Sequence, residues 1–191
     1  MNLVDLNPVP ATAEMIVTYY NVTLDALRKR HLTRRLKRFE SIKDRQRQFA
    51  EAKDELSIEA GFMMLAYVES LFRMDFVARL ENRKWKDPLS AHFRKNHKAS
   101  SPFYRYPLDD IFIGWRREGG TCDDEMENIL RRLPQYFDYR NWVAHGRYWS
   151  YKEKDFLRRY NFDSLCILVD EIKKHFEGKF KKPSRIGFSP C

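Results

Sequence analysis

Residues 54–83, DELSIEAGFMMLAYVESLFRMDFVARLENR, contain the strongest helical pattern of the chain. Apolar side chains recur there at alternating intervals of three and four residues, the spacing that aligns side chains on one face of an α-helix. This stripe consists of Ile58, Phe62, Leu65, Phe72, Phe76 and Leu80. The flanks of the stripe are also apolar, so we expect this helix to lie at the centre of a helical bundle.

Helical patterns lie on both sides of this segment. Residues 11–52 contain no Pro or Gly and repeat apolar residues at helical spacing, which predicts one long helix or two abutting ones. Residues 122–146 predict another helix, with a kink or a restart at Pro134 and an end at Gly146. A last helix is predicted at about 161–177. The expected fold class is therefore all-α, a four- or five-helix bundle.

Length and composition place the chain among folded single-domain proteins. Its 191 residues fit one domain spanning residues 1–191, and 43% of them are hydrophobic. No apolar run approaches the roughly 18 residues of a membrane-spanning helix, and the N-terminal residues lack the pattern of a secretory signal. The three cysteines are far apart and have no partner at metal-ligand spacing. We therefore expect a cytoplasmic protein that holds no metal and no cofactor and has no membrane partner.

Residues 84–121 break the helical patterns with repeated Pro and Gly residues. We predict an irregular insertion with short helices between the second and third long helices. It combines basic side chains with the rings of Trp85, His92, Phe93, His97, Phe103, Tyr104, Tyr106 and Trp115. Either the bases of RNA stack on these rings, or the rings anchor the insertion to the bundle. At the C-terminus we expect the basic tail, residues 178–191, to be loose.

Positive charge is concentrated in residues 28–47, RKRHLTRRLKRFESIKDRQR. Ten Arg or Lys residues there are opposed only by Glu40 and Asp44, so the segment carries +8, against +9 for the whole chain. Such a density suits a polyanion, because neutralised phosphates release counterions. A solvated helix face explains the same pattern equally well. The candidate RNA-binding residues are Arg28, Lys29, Arg30, Arg34, Arg35, Lys37, Arg38 and, later in the chain, Arg147.

Three polar residues interrupt the apolar face of the helix predicted at 122–146. That face consists of Ile129, Leu130, Leu133, Phe137 and Ala144. At about 100° per residue, Arg140 falls inside this face, Asn141 at its edge and His145 beside it. A buried guanidinium needs a partner, so we expect either a carboxylate or an anionic ligand beside Arg140.

Glu69 replaces an apolar residue in the central helix and is a candidate for that carboxylate. In one interpretation it holds Arg140 or tunes the imidazole of His145. In the other it forms an ordinary ion pair with Arg73, four residues further along the same helix. The sequence leaves both interpretations open.

The segment RNWVAHG, residues 140–146, resembles the signature of HEPN domains, in which an Arg is followed by a polar residue, three variable residues and a His. The resemblance implies a HEPN-like bundle that cleaves RNA without a metal. It implies that Arg140, Asn141 and His145 are the catalytic residues. It also implies a homodimer in which two copies of the motif meet, because one His does not easily serve as both acid and base.

The three residue types suit this chemistry. A 2′-hydroxyl attacks the adjacent phosphate and leaves a 2′,3′-cyclic phosphate and a 5′-hydroxyl. His145 is suited to move a proton near neutral pH, Arg140 to stabilise charge on the phosphoryl oxygens, and Asn141 to orient either group. Some HEPN toxins carry a regulatory Tyr two residues after the His. Arg147 occupies that position here and Tyr148 follows it, so Tyr148 is a candidate supporting residue.

The expected function is that of a metal-independent endoribonuclease, a toxin or phage-defence effector restrained by an antitoxin or another regulatory partner. The alternative is a catalytically inactive helical module that binds RNA or a protein through the same basic surfaces. DNA binding through residues 28–47 is less attractive, because the segment contains no recognisable motif for reading DNA.

Overall fold

The computed structural model describes residues 11–33, 41–97, 102–119, 124–145, 160–176 and 178–182. These residues form helices and their connections, and no strand occurs among them, which confirms the predicted all-α class. None of the helices in this part of the chain is both long and apolar enough to cross a membrane.

Six α-helices make up the described fold. They are α1 (Ala13–Arg28), α2 (Ile42–Glu81), α3 (Pro88–Asn96), α4 (Leu108–Glu118), α5 (Asp124–Ala144) and α6 (Phe162–Phe176). A π-helical turn, Lys29–Thr33, continues α1, and a 3₁₀ turn, Phe103–Arg105, precedes α4. The four long helices are α1, α2, α5 and α6, and the two short ones lie in the predicted insertion.

Helix α2 is the centre of the bundle and contacts every other described helix. It runs without interruption for 40 residues, so the predicted boundary between residues 52 and 54 is wrong. The helix begins at Ile42, directly after its N-cap residue Ser41. The hydroxyl of Ser41 accepts from the backbone N–H of Asp44, and the Asp44 carboxylate accepts from the backbone N–H of Ser41. This reciprocal capping box satisfies N–H groups that have no partner inside the helix.

The core side of α2 is wider than the predicted stripe. Leu65, Phe72 and Phe76 are fully buried as expected, whereas Ile58, Phe62 and Leu80 are only half-buried. Helices pack on several sides of α2, so the buried set follows several directions rather than one face. It includes Ala60, Gly61, Met64, Val68 and Ala78.

The insertion contains short helices as predicted, but it is more regular than expected, because two helices occupy most of its described part. The carboxylate of Asp87 accepts from the backbone N–H of Ser90 and caps α3. The rings of Phe93 and Trp115 are buried in the same core as the long helices. The anchoring interpretation therefore holds for these two rings.

Helix α5 continues through Pro134, so the helix does not restart there. Ile129, Leu130, Leu133 and Phe137 are buried as predicted, but Ala144 is exposed. Tyr139 and Trp142 are buried on the opposite side of the helix, and the ring of Tyr139 stacks on that of Tyr160 at 5.5 Å.

The first residues of the predicted loose tail, 178–182, pack against the bundle. Gly178 takes a φ of 77°, a left-handed conformation that favours glycine and turns the chain back. The ring of Phe180 then contacts Phe72 at 5.1 Å, and the backbone N–H of Lys181 donates to the buried carboxylate of Asp75 at 2.7 Å. The prediction of a loose segment is thus wrong for these residues, and residues 183–191 lie outside the described part of the chain.

Candidate functional site

The guanidinium of Arg140 is turned toward α2 and forms an ion pair there with Glu69. The second carboxylate oxygen of Glu69 accepts from Nε of Arg73 at 2.6 Å. The two interpretations of Glu69 are therefore compatible, since one carboxylate joins the arginine of α5 to the arginine of its own helix. We call these three residues the arginine–glutamate cluster.

The cluster is half-buried and carries a net positive charge. The side chain of Glu69 is 18% exposed and that of Arg140 is 24% exposed, so solvent reaches only part of each group. Nη2 of Arg140 also donates to Oδ1 of Asn141 at 3.3 Å, and its guanidinium carbon lies 5.2 Å from the ring centre of Phe137. One carboxylate cannot neutralise two guanidiniums, so the cluster retains attraction for an anion.

Asn141 and His145 lie at the surface of the last turns of α5, and both are exposed. They are four residues apart, so they share one face of the helix. Arg140 and His145 are separated by about 140° around the helix axis and about 7.5 Å along it. The structure thus brings the Arg140 guanidinium together with Glu69 and the Asn141 amide, whereas the imidazole of His145 is exposed on another side of the helix, about 140° from Arg140.

A hydrogen bond connects this cluster to the insertion, and the sequence pattern does not predict it. Nη1 of Arg73 donates to the backbone carbonyl oxygen of Tyr106 at 3.1 Å, just before α4. The ring of Tyr106 stacks on that of Phe76 at 4.5 Å and fixes this part of the insertion on α2. The four-residue spacing of Glu69 and Arg73 predicts their ion pair, whereas nothing in the sequence predicts the hydrogen bond to the carbonyl of Tyr106.

The remaining predicted residues stand apart from the cluster or outside the described ranges. Arg28, Lys29 and Arg30 are exposed at the end of α1 and in the π-helical turn, where Lys29 pairs with Asp25 at 2.8 Å. The predicted site residues that fall outside the described part of the chain are Arg34, Arg35, Lys37, Arg38, Arg147 and Tyr148.

Within the described ranges, no group of three or more His, Cys, Asp or Glu residues is arranged to hold a metal ion. Of the two histidines of the insertion, His97 packs its ring against Phe76 at 5.8 Å and Phe103 at 5.4 Å. His92 lies beside the ring of Phe93 at 5.9 Å. Both imidazoles are therefore part of the packing around α3.

Comparisons with protein-family models, curated proteins and solved structures find no match to this chain. Any functional interpretation therefore rests on the residues of the site themselves.

Proposed function

We propose that this chain is a metal-independent endoribonuclease of the HEPN type, with Arg140, Asn141 and His145 forming one half of a site that a second copy completes. The supporting observation is the arrangement at the end of α5, where a positively charged, half-buried cluster contacts the exposed Asn141 amide, and the exposed imidazole of His145 follows about one turn further along the chain. Cleavage of a phosphodiester uses both kinds of group. A fixed cation stabilises the charge on the phosphoryl oxygens, and another group transfers protons.

The proposed reaction is transfer of the phosphoryl group within RNA. The 2′-oxygen forms a bond to phosphorus while the bond from phosphorus to the 5′-oxygen breaks. A base takes the proton of the 2′-hydroxyl, and an acid delivers a proton to the departing 5′-oxygen. One His145 imidazole performs one of these transfers and that of the second copy performs the other, while Arg140 stabilises the charge that accumulates on the phosphoryl oxygens.

Glu69 acts in this proposal as a positioning residue. Its carboxylate holds the Arg140 guanidinium from the side of α2, so the cation is already in place when the phosphate arrives. A fixed charge costs less reorganisation during the reaction than a mobile one, and this is the usual advantage of a preorganised site. Arg73 restores the positive charge that Glu69 removes.

The biological setting remains as the sequence predicts it, a cytoplasmic toxin or defence effector with a regulatory partner. An enzyme that cuts cellular RNA must be restrained, which accounts for the expected antitoxin. Tyr148 follows the site closely in sequence and is a candidate position for such control.

The direct test incubates the purified full chain with mixed RNA in EDTA and identifies the product ends. Wild-type protein should generate 2′,3′-cyclic phosphate and 5′-hydroxyl ends, and His145→Ala and Arg140→Ala should abolish them. Arg131→Ala is the matched control, because Arg131 is an exposed arginine of the same helix that pairs with Glu127. Cleavage that requires Mg²⁺ or survives both site substitutions would refute the proposal.

A mixing experiment tests the second copy. Excess His145→Ala protein added to wild-type protein should suppress cleavage, because mixed dimers contain only one of the two imidazoles. Activity that is unchanged by the excess would instead show that each chain cuts alone. If wild-type protein binds RNA but never cuts it, the chain is the inactive binding module of the alternative interpretation.

A further inference from the structure

The insertion reaches the same end of the bundle as the proposed site. Helices α4 and α5 run antiparallel, since Arg116 near the end of α4 pairs with Glu127 near the start of α5 at 3.8 Å. Earlier in α4, Phe112 packs on Phe137 of the later part of α5 at 5.6 Å. The beginning of α4 therefore lies beside the end of α5, where His145 is located.

The 3₁₀ turn Phe103–Arg105, which directly precedes α4, is tied to the arginine–glutamate cluster by backbone hydrogen bonds. The carbonyl of Tyr106 accepts from Arg73 at 3.1 Å, and the N–H of Tyr106 donates to the carbonyl of Phe103 at 3.2 Å. Two hydrogen bonds thus connect Phe103 to the guanidinium of Arg73. The position of the turn is fixed relative to the cluster.

Phe103 presents an exposed ring on this turn. Its side chain is 43% exposed, whereas Phe93, Phe112 and Trp115 in the same insertion are buried. One side of the ring contacts His97, with ring centres 5.4 Å apart, which holds the ring in place without covering it. Arg105, on the same turn, is also exposed.

We infer that Phe103 is a stacking platform for an unpaired base of single-stranded RNA, with Arg105 attracting the adjoining phosphate. This inference rests on the proposed function for its choice of ligand. An exposed, anchored ring beside exposed positive charge suits a nucleotide, because the base stacks on the ring while the cation attracts the backbone. A base inside a duplex is already stacked and does not present its face, so the surface selects unpaired RNA.

The test measures binding separately from cleavage. The probe is a short, unstructured 2′-O-methyl oligonucleotide with a fluorescent label, which lacks the 2′-hydroxyl needed for cutting, and fluorescence anisotropy gives its Kd on the full chain. Phe103→Ala should weaken binding about five- to tenfold, the lower part of the range for loss of one base–aromatic stack. Phe103→Tyr should bind like wild type, and Phe103→Leu should bind like Phe103→Ala.

Matched controls separate stacking from general effects. Tyr19→Ala removes a ring that is 38% exposed on α1, and it should leave Kd unchanged. Arg105→Ala should lower the slope of log affinity against log salt by about 0.7, the value for one phosphate contact to a single strand. Arg117→Ala, at the far end of α4, should not change that slope. The same oligonucleotide in a duplex should bind equally to wild type and Phe103→Ala.

The outcomes separate this inference from the proposed function. Equal affinities for wild type, Phe103→Ala and Phe103→Leu would overturn the stacking platform, and so would a Phe103→Leu protein that binds as well as Phe103→Tyr. Failure of wild type to bind the probe would overturn it as well. If binding depends on Phe103 but wild type never cuts unmodified RNA, the platform stands and the nuclease proposal fails.

Discussion

Glu69→Gln is the most informative single substitution, because it keeps the shape of the side chain and removes the charge that two arginines share. Glutamine still offers one carbonyl oxygen, so one arginine keeps a weaker neutral acceptor and the other loses its acceptor. A net hydrogen bond to a charged group is worth about 1.5–3 kcal/mol. After allowance for the partial exposure of the cluster, we expect the free energy of unfolding to fall by about 2 kcal/mol.

Urea unfolding followed by tryptophan fluorescence measures this loss directly. For a chain of this length, 2 kcal/mol corresponds to a decrease of about 4–8 °C in Tm. The control is Glu127→Gln on α5, which also removes a carboxylate bound to an arginine but lies at an exposed site. Its effect should be much smaller, because solvent screens exposed ion pairs.

A double-mutant cycle decides whether the loss comes from the unpaired arginine. Arg140→Met removes the guanidinium, so Glu69→Gln in the Arg140→Met background should cost at least about 1 kcal/mol less than in the wild-type background. The same cycle with Arg73→Met should also show coupling, because both arginines bind Glu69. Additive losses in both cycles would refute the shared-carboxylate arrangement.

Three further substitutions test other parts of the fold. Asp75→Ala should lower the free energy of unfolding by about 3 kcal/mol in urea, since the buried Arg79 loses one of its two carboxylate partners and keeps Asp87, and a loss below 1 kcal/mol would contradict that role. Gly114→Ala should lower Tm, because a Cβ there would lie 2.5 Å from the Phe93 ring, and a raised Tm would mean that the gain of about 1 kcal/mol in helix propensity prevails. The hydrogen bond from Lys173 lowers the pKa of Glu14 to about 2 from its ordinary 4.5, so this pair stabilises the fold above pH 4.5 and loses its effect as pH falls toward 2. The stability difference between wild type and Glu14→Gln, measured by urea unfolding, should therefore shrink over that interval, and a constant difference would argue against the ion pair.

The apolar periodicity predicted the long helices well where packing is dense and poorly where it is sparse. Phe72 and Phe76 identify the C-terminal half of α2 because burial imposes a helical period on apolar residues. The first turns of α2 are polar, so the same period does not reveal where the helix begins. The capping signal was available in Ser41 and Asp44, and it marks the start that hydrophobic spacing cannot.

Prolines of the insertion mark the places where its short helices begin. Pro88 occupies the first turn of α3, where its missing N–H is not needed, and Pro107 is the residue before α4. Both prolines therefore stand at the starts of the short helices that the sequence predicts in the insertion. The packing of Phe180 on the core had no comparable signal, because its neighbours in sequence are basic and polar.

The candidate site was predictable to the extent that it depends on side chains at helical spacing. The position of Arg140 inside an apolar stripe required a partner, and Glu69 was the charged residue available in the opposing stripe. The contribution of Tyr106 comes from a backbone oxygen 33 residues from Arg73 in sequence. Every residue has such an oxygen, so residue types alone cannot identify this contact.

The length of α2 sets the distance between the basic residues near its beginning and the arginine–glutamate cluster. Its 40 residues extend for about 60 Å, and Arg47 near its beginning lies about 33 Å along the axis from Glu69. At physiological salt, charges act through solvent over only about 8 Å, so the amino-terminal basic residues and the cluster attract ligands independently of each other. If the chain binds RNA as proposed, a dinucleotide is too short to bridge them, and a strand of about ten nucleotides at the stacked spacing of about 3.4 Å each is needed to contact both at once.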